Sequence, residues 1–125
     1  MRSASLLHSF KYAFEGIWYV LRSQRNAKIH LGVTLAVILL GLFLRLSALH
    51  WAVLLVTVGM VFAAEMFNTV IESLIDLVSP NYHPLAKIAK DAAAGAVFIL
   101  AMMSVLVGLL VLGPPLWVII WTYLK

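Results

Sequence analysis

The chain has 125 residues, of which 64% are hydrophobic and 11% charged, and its mean hydropathy is +1.05. Soluble domains hold about 45–50% apolar and about 25% charged residues, so a water-soluble globule is excluded and a small integral membrane protein of one domain is expected. The absence of cysteine excludes disulfides, thiolate metal sites and cysteine nucleophiles, and the net charge of +4 is assigned to lipid headgroups and membrane topology rather than nucleic acid.

The N-terminus lacks the basic cap, apolar core and small-residue cleavage site of a signal peptide. Residues 4–22 read as an amphipathic helix. Leu6, Leu7, Phe10, Phe14, Ile17 and Leu21 recur at three- and four-residue spacing, opposite His8, Lys11, Glu15, Tyr19 and Arg22. This helix is too polar to span a bilayer and is expected along its surface. A basic connector, RSQRNAKIH (22–30), leads to a first apolar span over 29–46, just long enough to cross a core of about 30 Å. SALHW (47–51) turns the chain, and a second helix is expected over 51–78, stopped by Ser79-Pro80. The polar loop SPNYHPLAKI precedes a third span over 87–112. Gly113-Pro114-Pro115 then breaks or kinks the chain, so the tail (113–125) either prolongs the third span beyond a kink or lies at the interface. Trp18, Trp51, Trp117, Trp121 and Tyr123 suit interface anchors, and His8, His30 and His50 read as interfacial residues.

In this three-span arrangement Arg2, Lys11, Arg22, Arg25, Lys28, Lys87 and Lys90 fall on one side, against Arg45 and Lys125 on the other. The bias places the surface helix and the 79–91 loop on the cytoplasmic face. The second span carries an unexpected polar face. Glu65, Asn68, Glu72 and Asp76 fall within an arc of about 80° at 100° per residue. A charge in hydrocarbon costs at least about 2.5–3.5 kcal/mol, so this face must meet other helices, water or a cation. Several carboxylates on one face repel one another unless a cation compensates. A hard ion such as Mg²⁺ takes oxygen ligands and shares them with substrate phosphates; Glu72, near the boundary, is the best placed ligand. Glu65 sits about two turns deeper, roughly 10 Å, where a carboxylate suits general-base work. Lys90 and Asp91 stand at the cytoplasmic depth of Glu72 and Asp76, and the small residues of DAAAGA (91–96) suit close helix packing that brings the two groups together. A deep base above a shallow cation site describes an enzyme that takes its hydroxyl acceptor from lipid and its donor from the cytoplasm.

EMFNTVIESLID (65–76) followed by YHPLAKIAKDAAAGAV (82–97) resembles the bacterial integral-membrane diacylglycerol kinase family, and most closely its undecaprenol-kinase-like members. The combined pattern E-x-x-N-T-x-I-E-x-x-x-D and K-x-x-K-D-x-A-A-G-A is far more specific than its parts, and the resemblance runs from about residue 5 to residue 112. No phosphate-binding loop of soluble kinases is present. The resemblance implies an all-α homotrimeric bundle with a surface helix and three transmembrane helices per chain. It further implies a multi-pass protein of the bacterial cytoplasmic membrane, with composite active sites at the cytoplasmic face. It implies ATP as donor, Mg²⁺ as cofactor and a membrane lipid alcohol, undecaprenol or diacylglycerol, as acceptor. By motif, Glu65 resembles the catalytic base beside the lipid hydroxyl and Glu72 the ligand of the metal–nucleotide. Asn68 and Asp76 match positions that organise the site, while Asn81, Tyr82 and His83 match the loop that contacts the nucleotide. Lys90 and Asp91 match the pair that holds the phosphates and the adenosine side, Tyr12 matches a tyrosine near the nucleotide, and Arg22 lies in a stretch lining the lipid's access. Gln24 stands where relatives often carry a glutamate of the metal site; its carbonyl oxygen brings no charge, which leaves more of the metal to Glu72. An arginine that some relatives carry near residue 5 is also missing, with only Arg2 nearby.

A small proton- or cation-coupled transporter using Glu65 is the alternative function. It accounts for one deep carboxylate but not for KIAKD or for the stripe's continuation to Asp76. A purely structural subunit would need no deep carboxylate.

Overall fold

Four α-helices, separated by short polar breaks, make up the computed structural model, which describes residues 6–124: α1 (Leu6–Ser23), α2 (Arg25–Phe43), α3 (Ala48–Val78) and α4 (Pro84–Tyr123). Arg2, Lys125 and the first two residues of the expected surface helix lie outside the described residues. No strand occurs among those described, and α2, α3 and α4 are each long and apolar enough to cross a membrane. The chain is a helical integral membrane protein.

Every break has a local cause. Gln24 alone is extended (φ −94°, ψ 123°) between α1 and α2, so α2 begins within the basic segment expected as connector. Nothing in Arg-Asn-Ala-Lys opposes a helix. Ser47 caps α3, its hydroxyl accepting from the His50 backbone N–H at 3.4 Å, which starts that helix at Ala48 rather than residue 51. At α4, His83 Nδ1 accepts from the Leu85 N–H at 3.2 Å and Pro84 takes the first helical position. A proline is favoured there because its missing N–H has no intrahelical partner to lose. The helix therefore starts ahead of residue 87. It also continues through Pro114 and Pro115 to Tyr123, so the tail is helical.

The α2–α3 turn closes tightly. Arg45 adopts a left-handed conformation (φ 51°), its N–H bonded to Leu42 O and the Leu46 N–H to Gly41 O, each at 3.2 Å. This is a Schellman cap with arginine where glycine is usual. Gly41 is buried beneath Trp51; a Cβ there would stand 2.8 Å from Trp51 Cη2 and 3.2 Å from Leu46 Cδ1.

Short turns make α2, α3 and α4 run alternately up and down. The α3–α4 pairing is the most extensive, α2 lies mainly on α3, and α1 touches α2 and α3. An apolar cluster of Leu54, Val111 and Leu112, backed by Val37, Leu40, Leu44, Leu46 and Val107, fills the end near the α2–α3 turn. The other end holds the polar stripe. Of the small-residue run opening α4, only Ala93 is buried; Ala92, Ala94 and Ala96 are exposed, and a Cβ on Gly95 would meet nothing within 4 Å. Close packing within one chain thus uses one residue of that run. Ala92 and Ala94 turn away from Ala93 by helix periodicity, while Ala96 borders an open groove between α3 and α4.

Candidate active site

Exposure along the polar face of α3 rises steadily. Glu65 is 1% exposed and Asn68 8%, Glu72 is half-buried, and the Asp76 side chain is 67% exposed. One face therefore leads from the bundle interior to solvent.

At its deep end, Glu65 Oε1 lies 3.3 Å from His30 Nε2 of α2. The separation suits an ion pair when the imidazole is protonated, but the alignment makes no hydrogen bond, and Glu65 Oε1 is a buried oxygen without a hydrogen-bond partner. The Thr69 hydroxyl donates to the Glu65 carbonyl at 2.9 Å, keeping a second polar group turned into the helix. Asn68 Nδ2 donates to Glu72 Oε1 at 3.1 Å, whereas Asn68 Oδ1 is buried and unpartnered. A buried acceptor without a donor is costly, so this stretch is polar beyond what the chain's own packing requires.

At the shallow end, Lys90 Nζ of α4 donates to Asp76 Oδ1 of α3 at 2.5 Å, and Lys87 Nζ to Asp91 Oδ2 at 2.5 Å. Lys90 and Asp91 do not pair with each other, because adjacent helical residues point about 100° apart while residues four apart are neighbours. An open cavity of about 420 Å³ lies here, lined among others by Asp76, Asn81, Tyr82, His83, Lys90 and Asp91. Six of the expected site residues therefore surround one space. The Ser79 hydroxyl donates to Asn81 O at 3.1 Å and braces its rim.

Tyr12, Arg22 and Gln24 are not among the residues lining that cavity. Tyr12 is 59% exposed on α1 beside His8, and the Arg22 guanidinium lies 5.9 Å from the centre of the Trp18 ring. Gln24 occupies the α1–α2 break, where its side chain makes no capping bond.

The donor set bears on the metal. No group of three His, Asp or Glu residues able to hold an ion occurs among the described residues. Glu72 offers one carboxylate, oriented by Asn68. That fits Mg²⁺ shared with phosphates, which commonly uses one or two carboxylates, and does not fit a cage built from protein alone.

Two residues that sequence reasoning passed over belong to this region: His30, against Glu65, and Lys87, which holds Asp91. The signal for His30 was present. His30 stands 13 residues before the end of α2 and Glu65 17 residues after the start of α3, which in an antiparallel pair puts them within about one helical turn of the same depth.

Comparison with known proteins gives concordant findings. The profile of the prokaryotic diacylglycerol kinase family matches residues 11–112. The undecaprenol kinase of Bacillus subtilis is 43% identical over 108 residues, covering 86% of this chain and 88% of that protein. The diacylglycerol kinase of Synechocystis sp. is 48% identical over 113 residues, covering 90% of this chain and 65% of that protein. The diacylglycerol kinase of Helicobacter pylori is 29% identical over 119 residues, covering 90% of this chain and 83% of that protein.

Proposed function

This chain belongs to the prokaryotic diacylglycerol kinase family and is a lipid kinase, a phosphotransferase with an alcohol acceptor, and we propose that it transfers the γ-phosphoryl group of ATP directly to the hydroxyl of undecaprenol or diacylglycerol. The transporter alternative is dropped, since relatives spanning 86% and 90% of the chain carry kinase names.

The observation that carries the reading is the order of groups along α3. The open polar cavity at the α3–α4 loop takes the adenosine end, with Asn81, Tyr82 and His83 on one side and Lys90 and Asp91 on the other. Asp76, bonded to Lys90, holds that lysine toward the phosphates. From Asp76 to Glu65 is about 16 Å along the helix, and in this reading the triphosphate runs along that face, past Glu72 and Asn68, toward the buried carboxylate. Glu65 takes the hydroxyl proton as the oxygen attacks phosphorus, and Lys90 offsets charge on the phosphates nearer the adenosine. Mg²⁺, held by Glu72 and the phosphates, supplies further charge neutralisation when bound. Phosphoryl transfer depends mainly on such positioning and electrostatics.

Arg22 and Tyr12 reach lipid and nucleotide from α1, which lies on the membrane surface; the open apolar residues Leu6, Leu7, Phe10 and Phe14 support that placement. Gln24 contributes at most a neutral oxygen to the cation. Three chains assemble as a homotrimer in the bacterial cytoplasmic membrane, with the loop cavity facing the cytoplasm. Purified protein with labelled ATP and each lipid in the same mixed micelles tests the reading. Label is expected on undecaprenol or diacylglycerol, and none on either overturns it. Glu65→Gln should remove lipid phosphorylation by at least about 10²-fold while nucleotide binding persists; an active Glu65→Gln variant refutes the base.

A further inference from the structure

A base that is 1% exposed creates a problem the phosphoryl transfer does not solve. Each turnover leaves one proton on Glu65, and water does not reach that carboxylate to remove it. The group at hand is His30, whose Nε2 lies 3.3 Å from Glu65 Oε1 and whose side chain is 21% exposed. His30 also lines an open groove of about 360 Å³ between α2 and α4, together with Asn26, one helical turn nearer the polar end of α2. It is the sole titratable residue lining that groove. The contact is close enough for proton transfer, and Glu65 Oε1 makes no hydrogen bond in the resting geometry.

Resting on the assignment of Glu65 as base, we infer that His30 is the proton exit of the kinase: it accepts at Nε2 the proton that Glu65 has taken from the lipid hydroxyl and releases one from Nδ1 into the groove beside Asn26. The step balances. The hydroxyl oxygen bonds to the γ-phosphorus, the bond to the ADP oxygen breaks, and the hydroxyl proton passes to Glu65, then His30, then water. Both side chains return to their starting state, and no other reactant is consumed.

A relay is needed for repeated turnover and not for the first, which separates it from a structural role. His30→Gln retains a polar side chain of similar reach but cannot pass a proton; His30→Ala serves as the second variant. Rapid-quench assays use the full-length protein in mixed micelles with γ-labelled ATP, Mg²⁺ and the lipid alcohol that the wild type turns over. In His30→Gln, a burst of about one labelled lipid per site at near wild-type rate is expected, followed by a steady state slowed by about 10²-fold. Free imidazole should restore part of the steady-state rate in His30→Ala. Wild-type steady-state turnover in His30→Gln overturns the relay. Loss of the burst together with the steady state also overturns it, and assigns His30 to positioning. Failure of the underlying reading looks different: the burst would then survive in Glu65→Gln.

Discussion

At the scale of single residues, the turn between α2 and α3 is held by two side chains in uncommon settings. Gly41 is the position where the Trp51 ring closes on α2, and no side chain fits. Gly41→Ala should therefore lower stability by about 1–3 kcal/mol, the usual cost of overpacking, read as an earlier midpoint of thermal or denaturant unfolding in detergent. Arg45 shows the opposite case. Its φ of 51° costs a non-glycine residue about 1–2 kcal/mol relative to right-handed backbone. Arg45→Gly should raise stability by up to about 1 kcal/mol in the same measurement, and a lowered midpoint would mean that the guanidinium holds the turn by another contact. Glu65 and His30 follow a different logic: a buried carboxylate oxygen without a hydrogen bond works against stability, which fits the base role proposed for Glu65.

At the scale of elements, the α3–α4 hairpin holds the proposed donor side of the site. The Asp76–Lys90 pair joins the two helices, but the side chains are 67% and 37% exposed, and pairs in such settings add about 0–1 kcal/mol to stability. Lys90→Met should thus leave unfolding nearly unchanged while raising KM for ATP about tenfold, the loss of one charge-assisted bond to phosphate. A large fall in stability with unchanged KM would make the lysine a strut. Much of this hairpin was legible beforehand. Glu65, Asn68, Glu72 and Asp76 announced one face by spacing alone, and Pro80 marked the end of α3. Helix starts were less legible, because the expected spans followed hydrophobicity, whereas helices begin where caps permit. Ser47 and His83-Pro84 start α3 and α4 three residues ahead of the expected spans. His30 was missed because its meaning depends on a neighbour from another helix, and a lone histidine near a membrane boundary has no periodic signature. The Lys87–Asp91 bridge was hidden by the adjacency of Lys90 and Asp91, although four-residue spacing favoured it.

At the scale of the whole molecule, one chain does not enclose itself. It exposes 9719 Å², against roughly 6,600 Å² for a compact soluble monomer of this mass, and only eight hydrophobic residues are buried among the described residues. Lipid and, in the proposed homotrimer, further copies of the chain would cover the remainder. Ala92 and Ala96, exposed and four residues apart on one face of α4, suit close approach of another helix. Sedimentation in density-matched detergent should give three chains per particle, and a fully active monomer would refute the trimer. The length of α2 has a consequence for the chemistry as well. Gly41 and the turn beyond it act as a fulcrum, and His30 rides on a lever of about 16 Å. A tilt of about 10° at that fulcrum swings the imidazole by about 3 Å, enough to part it from Glu65. Aim at the polar end is thus set at the opposite end of the bundle, by the fit of one indole over one glycine.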